Sequence, residues 1–441
     1  MIDLVPQRNG AGKEGSLSYW MIVIAYVVCV SIEAMGVANV FPGKTSLYAD
    51  ILGCVAGTGV GVLVLGVTGR LRHLEFLSRG LFYALLTYTV LTIVVLLLNV
   101  VNQSQTNIIT RGMGNILYQV LAIFLSFSGA YLFGKRGIHY TFLGFAIAFA
   151  VLILTAIRNF GLGTLVSDLI SLILLGGTDT HATRTLEAHT YLAGIGYFVY
   201  YFFVRIRFRS KDFLRTKESW LSIFYFLAAM AICILGFKRT MLLSSFLSIA
   251  EYYEITFVEK KYGDRMARIL LMTQTGILVG ICVAYIYVIK TGLFYEFVKL
   301  VGVDTSGRDR FYKAFEDYYD LSLGYVGKGY GWVNRVADSI LHEGTRVESI
   351  HNEILQFYIE LGASGCIAFF GFFLFAAPWL FGRQYGFEVC KAFACFIPYM
   401  LTYSFVANGI CNWAISTAQW SIVFSCASEE EEKNLMSFGY S

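Results

Sequence analysis

The chain has few prolines, few histidines and few charged residues. Four of its 441 residues are proline, six are histidine and 15% are charged, whereas 57% are hydrophobic. A soluble domain of this length could not bury so much apolar surface, and the mean hydropathy of +0.62 agrees. We therefore predict a polytopic membrane protein. The net charge of +4 could suggest an anionic partner, but the basic residues are clustered as topology signals, so nucleic acid is not expected.

The sequence also lacks the motifs of a metal or disulfide framework. Its nine cysteines all fall in or beside apolar segments, and no Cys-x-x-Cys, Asp-x-Asp or His/Cys cluster occurs. We interpret the cysteines as small apolar residues of membrane helices. Neither a metal ion nor a cofactor is expected.

Long apolar windows dominate what is present. Windows of about 17–25 residues predict about twelve transmembrane helices. Their centres lie near residues 28, 57, 91, 123, 148, 197, 228, 249, 279, 368, 397 and 418. The predicted fold is an all-α polytopic membrane protein, a single integral membrane domain over residues 1–441, with one large loop at 290–353 between spans nine and ten. Residues 164–175 are too short to span, and a re-entrant or interfacial helix is predicted there.

Lysine and arginine predict the orientation of these spans. Five loops on one side, at 69–80, 134–137, 205–217, 259–268 and 382–391, contain about 17 basic residues. The loops on the other side contain only Lys44, Arg111, Arg158, Arg184, Lys238 and Arg239. By the positive-inside rule, both termini are cytoplasmic and the loop at 290–353 is extracytoplasmic. We assign the six basic residues of 205–217 to topology and lipid contact.

The extracytoplasmic loop contains a candidate anion site. Arg308 and Arg310 begin a segment in which Phe311 and Phe315 recur at helical spacing, followed by a glycine-rich turn at 327–331. Cations at a helix N-terminus are unfavourable for the helix dipole, so arginines at this position suggest an anionic ligand. The alternative for Arg310 is a solvated anchor that contacts lipid headgroups.

A second pair of cations occupies a short turn on the same side. Lys238 and Arg239 lie between the seventh and eighth predicted spans, where two adjacent charges must be solvated or paired. They could bind a substrate phosphate or reach out to lipid phosphate, and the turn alone does not separate these interpretations.

The third motif is a His-Asn-Glu triplet at the start of the tenth span, in "SIHNEILQFYIELGASGC". An imidazole with an unperturbed pKa near 6.5 suits proton abstraction at neutral pH, although a lone histidine can also be a hydrogen-bonded bystander. Asn352 and Glu353 adjoin His351. Glu360 lies about two turns further into the apolar run, and we predict that it pairs structurally with a nearby cation or amide.

Together these motifs resemble the O-antigen polymerase and O-antigen ligase superfamily. "HNEILQFYIELGASG" is similar to the signature His-Asn-x-x-Leu-x-x-x-x-Glu-x-Gly-x-x-Gly. "SGRDRFYKAF" and "GKGYG" resemble the elements that precede it, and "FKRT" looks like the arginine turn before the eighth span. The resemblance covers roughly residues 220–410. One departure is Lys238, which stands where the family often has a small hydroxyl residue.

The resemblance implies an inverting, metal-independent glycosyltransferase of the bacterial inner (plasma) membrane. Its donor would be a glycan on undecaprenyl diphosphate, and its other partners membrane lipids and a candidate chain-length regulator. His351 would act as general base, with Arg308 and Arg239 as the other catalytic residues. Arg310, Lys238, Asn352 and Glu353 would bind substrate.

Three functions follow from this interpretation. The first is polymerisation of lipid-linked repeat units into O-antigen, capsule or exopolysaccharide. The second is ligation of the same glycan to lipid A-core, which the motifs do not distinguish from polymerisation. The third, from another class, is glycolipid transport. Transport is disfavoured by the lack of a visible internal repeat and of proline-broken spans.

Overall fold

The computed structural model describes most of the chain in a series of helical segments. The described residues are 17–42, 44–68, 71–102, 106–174, 181–186, 189–207, 217–236, 239–302, 308–341, 350, 352–405 and 413–437. Within them the fold is helical, and the pairing of Val326 with Gly362 is an isolated β-bridge between non-helical backbone positions.

Nineteen α-helices form from the described residues. They are α1 (Leu17–Val37), α2 (Lys44–Thr68), α3 (Leu71–Val101), α4 (Thr106–Phe133), α5 (Gly137–Phe160), α6 (Leu162–Leu174), α7 (His181–Leu186), α8 (His189–Arg207), α9 (Lys217–Leu235), α10 (Arg239–Tyr262), α11 (Asp264–Lys290), α12 (Leu293–Val301), α13 (Arg308–Phe315), α14 (Trp332–Leu341), α15 (Glu353–Gly371), α16 (Ala377–Tyr385), α17 (Phe387–Ala394), α18 (Phe396–Ser404) and α19 (Trp413–Ser437). A 3₁₀ turn joins α4 to α5, and a π-helical turn at Phe372–Ala376 joins α15 to α16.

Several of these helices are apolar and long enough to cross a membrane. Six stretches of the described residues qualify: Leu17–Val37, Lys44–Val67, His73–Val101, Ile108–Phe160, Asp264–Lys290 and Glu353–Tyr385. The predicted all-helical, apolar architecture is therefore confirmed. A helix lies at or next to each of the twelve predicted centres, but the number of twelve spans is not confirmed. Helices α8 and α9 are among the shorter apolar helices, α10 and α19 are not among the six qualifying stretches, and near residue 397 the chain forms two helices separated at Cys395. The short helix predicted at 164–175 is present as α6.

The helices form a bundle with two distinct ends. At one end, which we call the charged end, His73 Nδ1 lies 2.5 Å from Glu431 and Lys135 lies 3.4 Å from Glu432. Further ion pairs there join Arg205 to Glu429 and Lys391 to both Glu259 and Glu388. A cavity lined by Arg205, Tyr252, Glu388 and Glu429 lies between the Arg205–Glu429 pair and the Lys391–Glu388 pair. The described basic loops therefore gather at one end, together with the acidic last turns of α19.

The other end, which we call the loop end, holds the segment that begins with α13. Asn102, which follows the last residue of α3, donates from Nδ2 to the Gly327 carbonyl over 2.5 Å. His73 is near the start of the same helix and lies at the charged end, so the two ends are separated by the length of α3, about 46 Å at 1.5 Å per residue.

Both described ends of the chain lie at the charged end. Near the start of α1, the Tyr19 hydroxyl is 2.9 Å from that of Tyr140, one turn into α5. The 3₁₀ turn just before α5 contains Lys135, the partner of Glu432 in α19. An even number of bundle crossings between Leu17 and Ser437 follows from this arrangement.

Close helix contact in the bundle depends on small residues. A Cβ added to Gly36 in α1 would lie under 3.0 Å from the Asp50 nitrogen, and one added to Gly53 in α2 would lie under 3.0 Å from the Glu33 nitrogen. Because only hydrogen occupies these positions, the backbones of α1 and α2 touch near the loop end.

Candidate functional site

The His-Asn-Glu triplet lies at the start of α15. Asn352 is the N-cap, and its Oδ1 accepts the backbone N–H of Leu355 over 3.0 Å. An asparagine at this position satisfies one of the amide groups that a helix leaves unpaired at its first turn. Ile350 and Asn352 are both fully buried. His351 itself lies outside the described residues, but the buried cap fixes the backbone that follows it.

Glu353 connects the start of α15 to the end of α18. Glu353 is only 3% exposed, and the Ser404 hydroxyl donates to its Oε2 over 3.2 Å. Ser404 is the last residue of α18. No local sequence pattern predicts this contact, because 51 residues separate the two positions.

Arg308 and Arg310 lie on α13, the helix predicted after residue 307. Tyr312 and Phe315 form its buried side, whereas Arg308 is half-buried and Arg310 is exposed. Within the part of the chain that the structure describes, neither guanidinium has an acidic side chain at salt-bridge distance. Both cations are therefore available to an anion or to lipid headgroups, and the half-burial of Arg308 makes it the better placed of the two for a fixed contact.

Aromatic contacts fix α13 against the end of α18. The Tyr312 ring is 5.6 Å from that of Phe294, which in turn meets the Tyr285 ring edge to face at 6.1 Å. Tyr285 also meets Phe405 edge to face at 4.9 Å. Arg308 is close enough to act electrostatically on the Tyr285 hydroxyl. The starts of α13 and α15 are thus both linked to Ser404–Phe405, the first through Tyr285 and the second through Glu353.

The glycine-rich turn at 327–331 packs against a non-helical break in α15. Gly362 has φ +69° and ψ −178°, a combination open almost only to glycine. Around it, the Ile359 carbonyl accepts from Lys328 N–H at 2.9 Å, and the Glu360 carbonyl accepts from Gly329 N–H at 3.0 Å. Ala363 N–H donates to the Tyr325 carbonyl at 3.2 Å. The glycine-rich turn at 327–331 and the break at Gly362 therefore form one hydrogen-bonded backbone junction.

Glu360 stabilises that junction from inside the bundle. Its Oε1 accepts the backbone N–H of Val333 at 2.9 Å and the side-chain amide of Gln356 at 3.4 Å. Glu360 is fully buried. Of the two predicted structural pairings, with a cation or with an amide, the structure shows the second. Through these amide contacts Glu360 holds the first turn of α14 against α15.

The loop end contains a cation, neutral phenols and an ionised carboxylate. The Lys290 ammonium lies 4.8 Å from the centre of the Tyr319 ring and donates to the Glu316 carbonyl. Burial raises the pKa of Tyr319 and of Tyr325, so both phenols stay protonated at neutral pH. Hydrogen bonds from Ser322 lower the pKa of the exposed Asp320, which stays ionised.

The arginine turn also belongs to the loop end. Arg239 is the first residue of α10, while Glu259 near the other end of that helix pairs with Lys391 at the charged end. The backbone of Arg239 must therefore lie at the loop end. Lys238 and the side chain of Arg239 lie outside the described residues.

Three sequence-predicted segments thus share one end of the bundle: the start of α10, α13 and the start of α15. The structure adds Ser404, Tyr285 and Tyr325 to them, none of which stood out in the sequence. Arg308 and Arg310, which have no acidic partner among the described residues, lie at the same end as the capped start of α15, where such cations can hold an anion. Comparisons with known protein families and with curated proteins returned no match for this chain.

Proposed function

We propose that the chain is a membrane glycosyltransferase that polymerises glycan repeat units carried on undecaprenyl diphosphate. The observation that supports this most is that the start of α10, α13 and the start of α15 come to one end of the bundle. These segments carry Arg239, Arg308 and the triplet at 351–353, on which the family resemblance rests.

The topology in this proposal has about twelve spans, both termini in the cytoplasm and the loop end outside. Its support is the collection of the described basic loops at the charged end, as the positive-inside rule requires of a cytoplasmic face. The shorter helix α8 would cross within the bundle, where neighbouring helices cover it, and α9 would cross at the periphery, with Trp220, Phe224 and Leu227 exposed toward lipid. The donor lipid would remain in the bilayer, with its diphosphate at headgroup level on the outer side.

The proposed reaction needs one acid–base group and fixed cations. An acceptor sugar hydroxyl attacks the anomeric carbon of the donor glycan, with inversion. The new glycosidic bond forms as the bond from that carbon to the diphosphate oxygen breaks. Arg308 and Arg239 stabilise the charge that builds on the leaving diphosphate, His351 accepts the hydroxyl proton, and undecaprenyl diphosphate departs. Arg310, Lys238, Asn352 and Glu353 form the surrounding binding surface.

The buried positions of Asn352 and Glu353 modify this assignment. Each contributes to the frame of the helix start, through the cap and through Ser404. Their contribution to binding would therefore be mainly to hold residue 351 and the start of α15 in place, a requirement for any preorganised base.

The direct test is a reaction with purified protein in detergent. A defined lipid-diphosphate repeat unit is supplied alone, and product length and released undecaprenyl diphosphate are measured. Polymerisation predicts chains of increasing length with one lipid diphosphate released per bond formed. A ligase would release lipid diphosphate only when lipid A-core is added. Glu251→Gln, a buried carboxyl variant on α10 outside the proposed site, serves as the matched control.

Transport is the second candidate, because α19 carries a buried polar seam. Its Ser421 hydroxyl lies 3.2 Å from that of Ser126 and 3.4 Å from that of Thr141, which is 3.1 Å from the Tyr26 hydroxyl. These groups satisfy one another, as Ser and Thr do between packed membrane helices. The seam therefore accords with helix packing, and a glycolipid-flipping assay in proteoliposomes separates the two functions.

A further inference from the structure

Two carboxyl groups and a thiol meet near the loop end, on helices that carry none of the proposed transfer residues. Glu33 lies in α1, and Asp50 and Cys54 lie one turn apart on the same face of α2. One ligand atom from each of the three lies within 4.8 Å of the others. All three residues are buried, with exposures of 0%, 2% and 3%.

The carboxyl groups have unused acceptor atoms that point to a missing cation. Glu33 Oε2 and Asp50 Oδ2 are both buried and have no hydrogen-bond partner among the described residues. No described cation lies at salt-bridge distance from either group. Two adjacent carboxylates cannot both stay ionised in an apolar interior without a positive partner.

The remaining contacts have the form of a metal site held rigidly by its surroundings. The Thr417 hydroxyl of α19 donates to Glu33 Oε1 over 3.0 Å, which orients the carboxylate and leaves Oε2 free. Outer hydrogen bonds of this kind commonly orient metal-binding carboxylates. Gly36 and Gly53 allow the backbones of α1 and α2 to touch beside the three ligands, so the two helices cannot spread apart without losing that contact.

We propose that Glu33, Asp50 and Cys54 bind one divalent metal ion of the zinc type. The two carboxylates balance its double charge, and the sulfur favours a borderline ion such as Zn²⁺ over Mg²⁺ or Ca²⁺, which prefer oxygen ligands. Around tetrahedral Zn²⁺, ligand atoms lie roughly 3.3–3.8 Å apart. Side-chain movements of about 1 Å would therefore bring the three ligand atoms, which lie within 4.8 Å of one another, to these separations. The ion would fasten α1 to α2 next to α19.

Metal titration of the full chain in detergent tests this inference independently of any transferase activity. Protein stripped with chelator is titrated with Co²⁺ while the thiolate-to-cobalt absorption band is recorded, and Zn²⁺ content is measured after dialysis. About one ion per chain is expected, with the absorption band lost in Cys54→Ser and retained in Cys233→Ser, a buried cysteine outside the cluster.

The carboxyl variants sharpen the test. Glu33→Gln and Asp50→Asn should weaken binding strongly, whereas Glu251→Gln should not, and Thr417→Val should weaken it about 10–100-fold. Zn²⁺ should also raise the melting temperature of the wild type and of Glu251→Gln, but not that of Asp50→Asn. A wild type that binds no stoichiometric ion, or binding that survives Cys54→Ser and Asp50→Asn unchanged, would overturn the proposal in favour of a carboxyl pair that shares a proton.

Discussion

Gly327 and Gly362 lie back to back where the glycine-rich turn crosses the break in α15. A Cβ on either one would come under 3.0 Å from the backbone nitrogen of the other. The two residues belong to motifs 35 positions apart in the sequence, and their contact fixes the loop onto the helix that carries Glu353 and Glu360. Both glycine motifs are therefore explained by one steric requirement.

Gly362→Ala should disrupt this junction. The added methyl group meets the Gly327 backbone, and φ +69° with ψ −178° is costly for any residue with a Cβ, by roughly 1–3 kcal/mol before the clash is counted. A lower melting temperature and reduced yield of folded protein in detergent are expected. Gly371→Ala, at a position of the same helix with nothing within 4 Å, should behave like wild type. Equal stability of the two variants would contradict the junction.

Glu360 should matter as an acceptor rather than as a charge. Glu360→Gln keeps an oxygen for the Val333 N–H and should lower the unfolding free energy only slightly. Glu360→Ala leaves that buried donor unpaired, which costs about 1–3 kcal/mol. Thermal unfolding of both variants measures the difference, and a glutamine variant as damaged as the alanine variant would show that the ionised carboxylate is needed.

Hydropathy and spacing predicted a large part of this fold. Apolar windows located the twelve centres at or beside which helices lie, and the aromatic spacing after Arg308 predicted α13. Such predictions succeed because they depend on local patterns with a period of 3.6 residues.

Long-range geometry could not be obtained in this way. The sequence around Gly362 looks like a small-residue patch in an apolar run, because a positive φ leaves no mark on hydropathy. The contact between Ser404 and Glu353 joins two helices whose pairing no local pattern encodes. Asp50 and Cys54 are one turn apart on α2, but only the packing of α1 on α2 brings Glu33 beside them, and no local pattern distinguishes Cys54 from an apolar residue.

Arg205, at the start of the basic loop 205–217, does more than the topology and lipid contact assigned to that loop. Arg205 is 12% exposed and pairs with Glu429 of α19, so Arg205→Gln would leave a buried carboxylate without that partner. We expect a loss of about 3 kcal/mol of unfolding free energy, near the low end for such pairs. The double variant Arg209→Gln and Lys211→Gln, at loop positions outside the described residues, should stay within about 1 kcal/mol of wild type in unfolding and near normal in turnover. If Arg205→Gln unfolds at the same denaturant concentration as wild type, the pair with Glu429 does not contribute to the stability of the bundle.

Arg308→Lys should be harmful although the charge is kept. The proposed role depends on a planar fork of donors matched to diphosphate oxygens, which lysine does not supply. Loss of one preorganised donor costs roughly 2.7–4 kcal/mol, a hundred- to thousandfold in turnover. Lys313→Gln, which removes an exposed charge from the same helix, is the control and should retain activity. Full activity of Arg308→Lys would reduce Arg308 to a surface anchor; the same substitution at Arg239 should also be harmful, less so if Lys238 compensates.

In the proposed mechanism, His351 accepts a proton during transfer of a lipid-linked glycan at the loop end. The most direct test of this step is the rate of undecaprenyl diphosphate release by purified wild type and His351→Ala, measured between about pH 5.5 and 8. For the wild type, the rate should fall on acidification as the imidazole becomes protonated and can no longer accept a proton. The variant should release the lipid diphosphate about 10²–10⁴ times more slowly, without this acid limb, while its folding and donor binding are unchanged. Release at a near-normal rate by well-folded His351→Ala protein would contradict the mechanism.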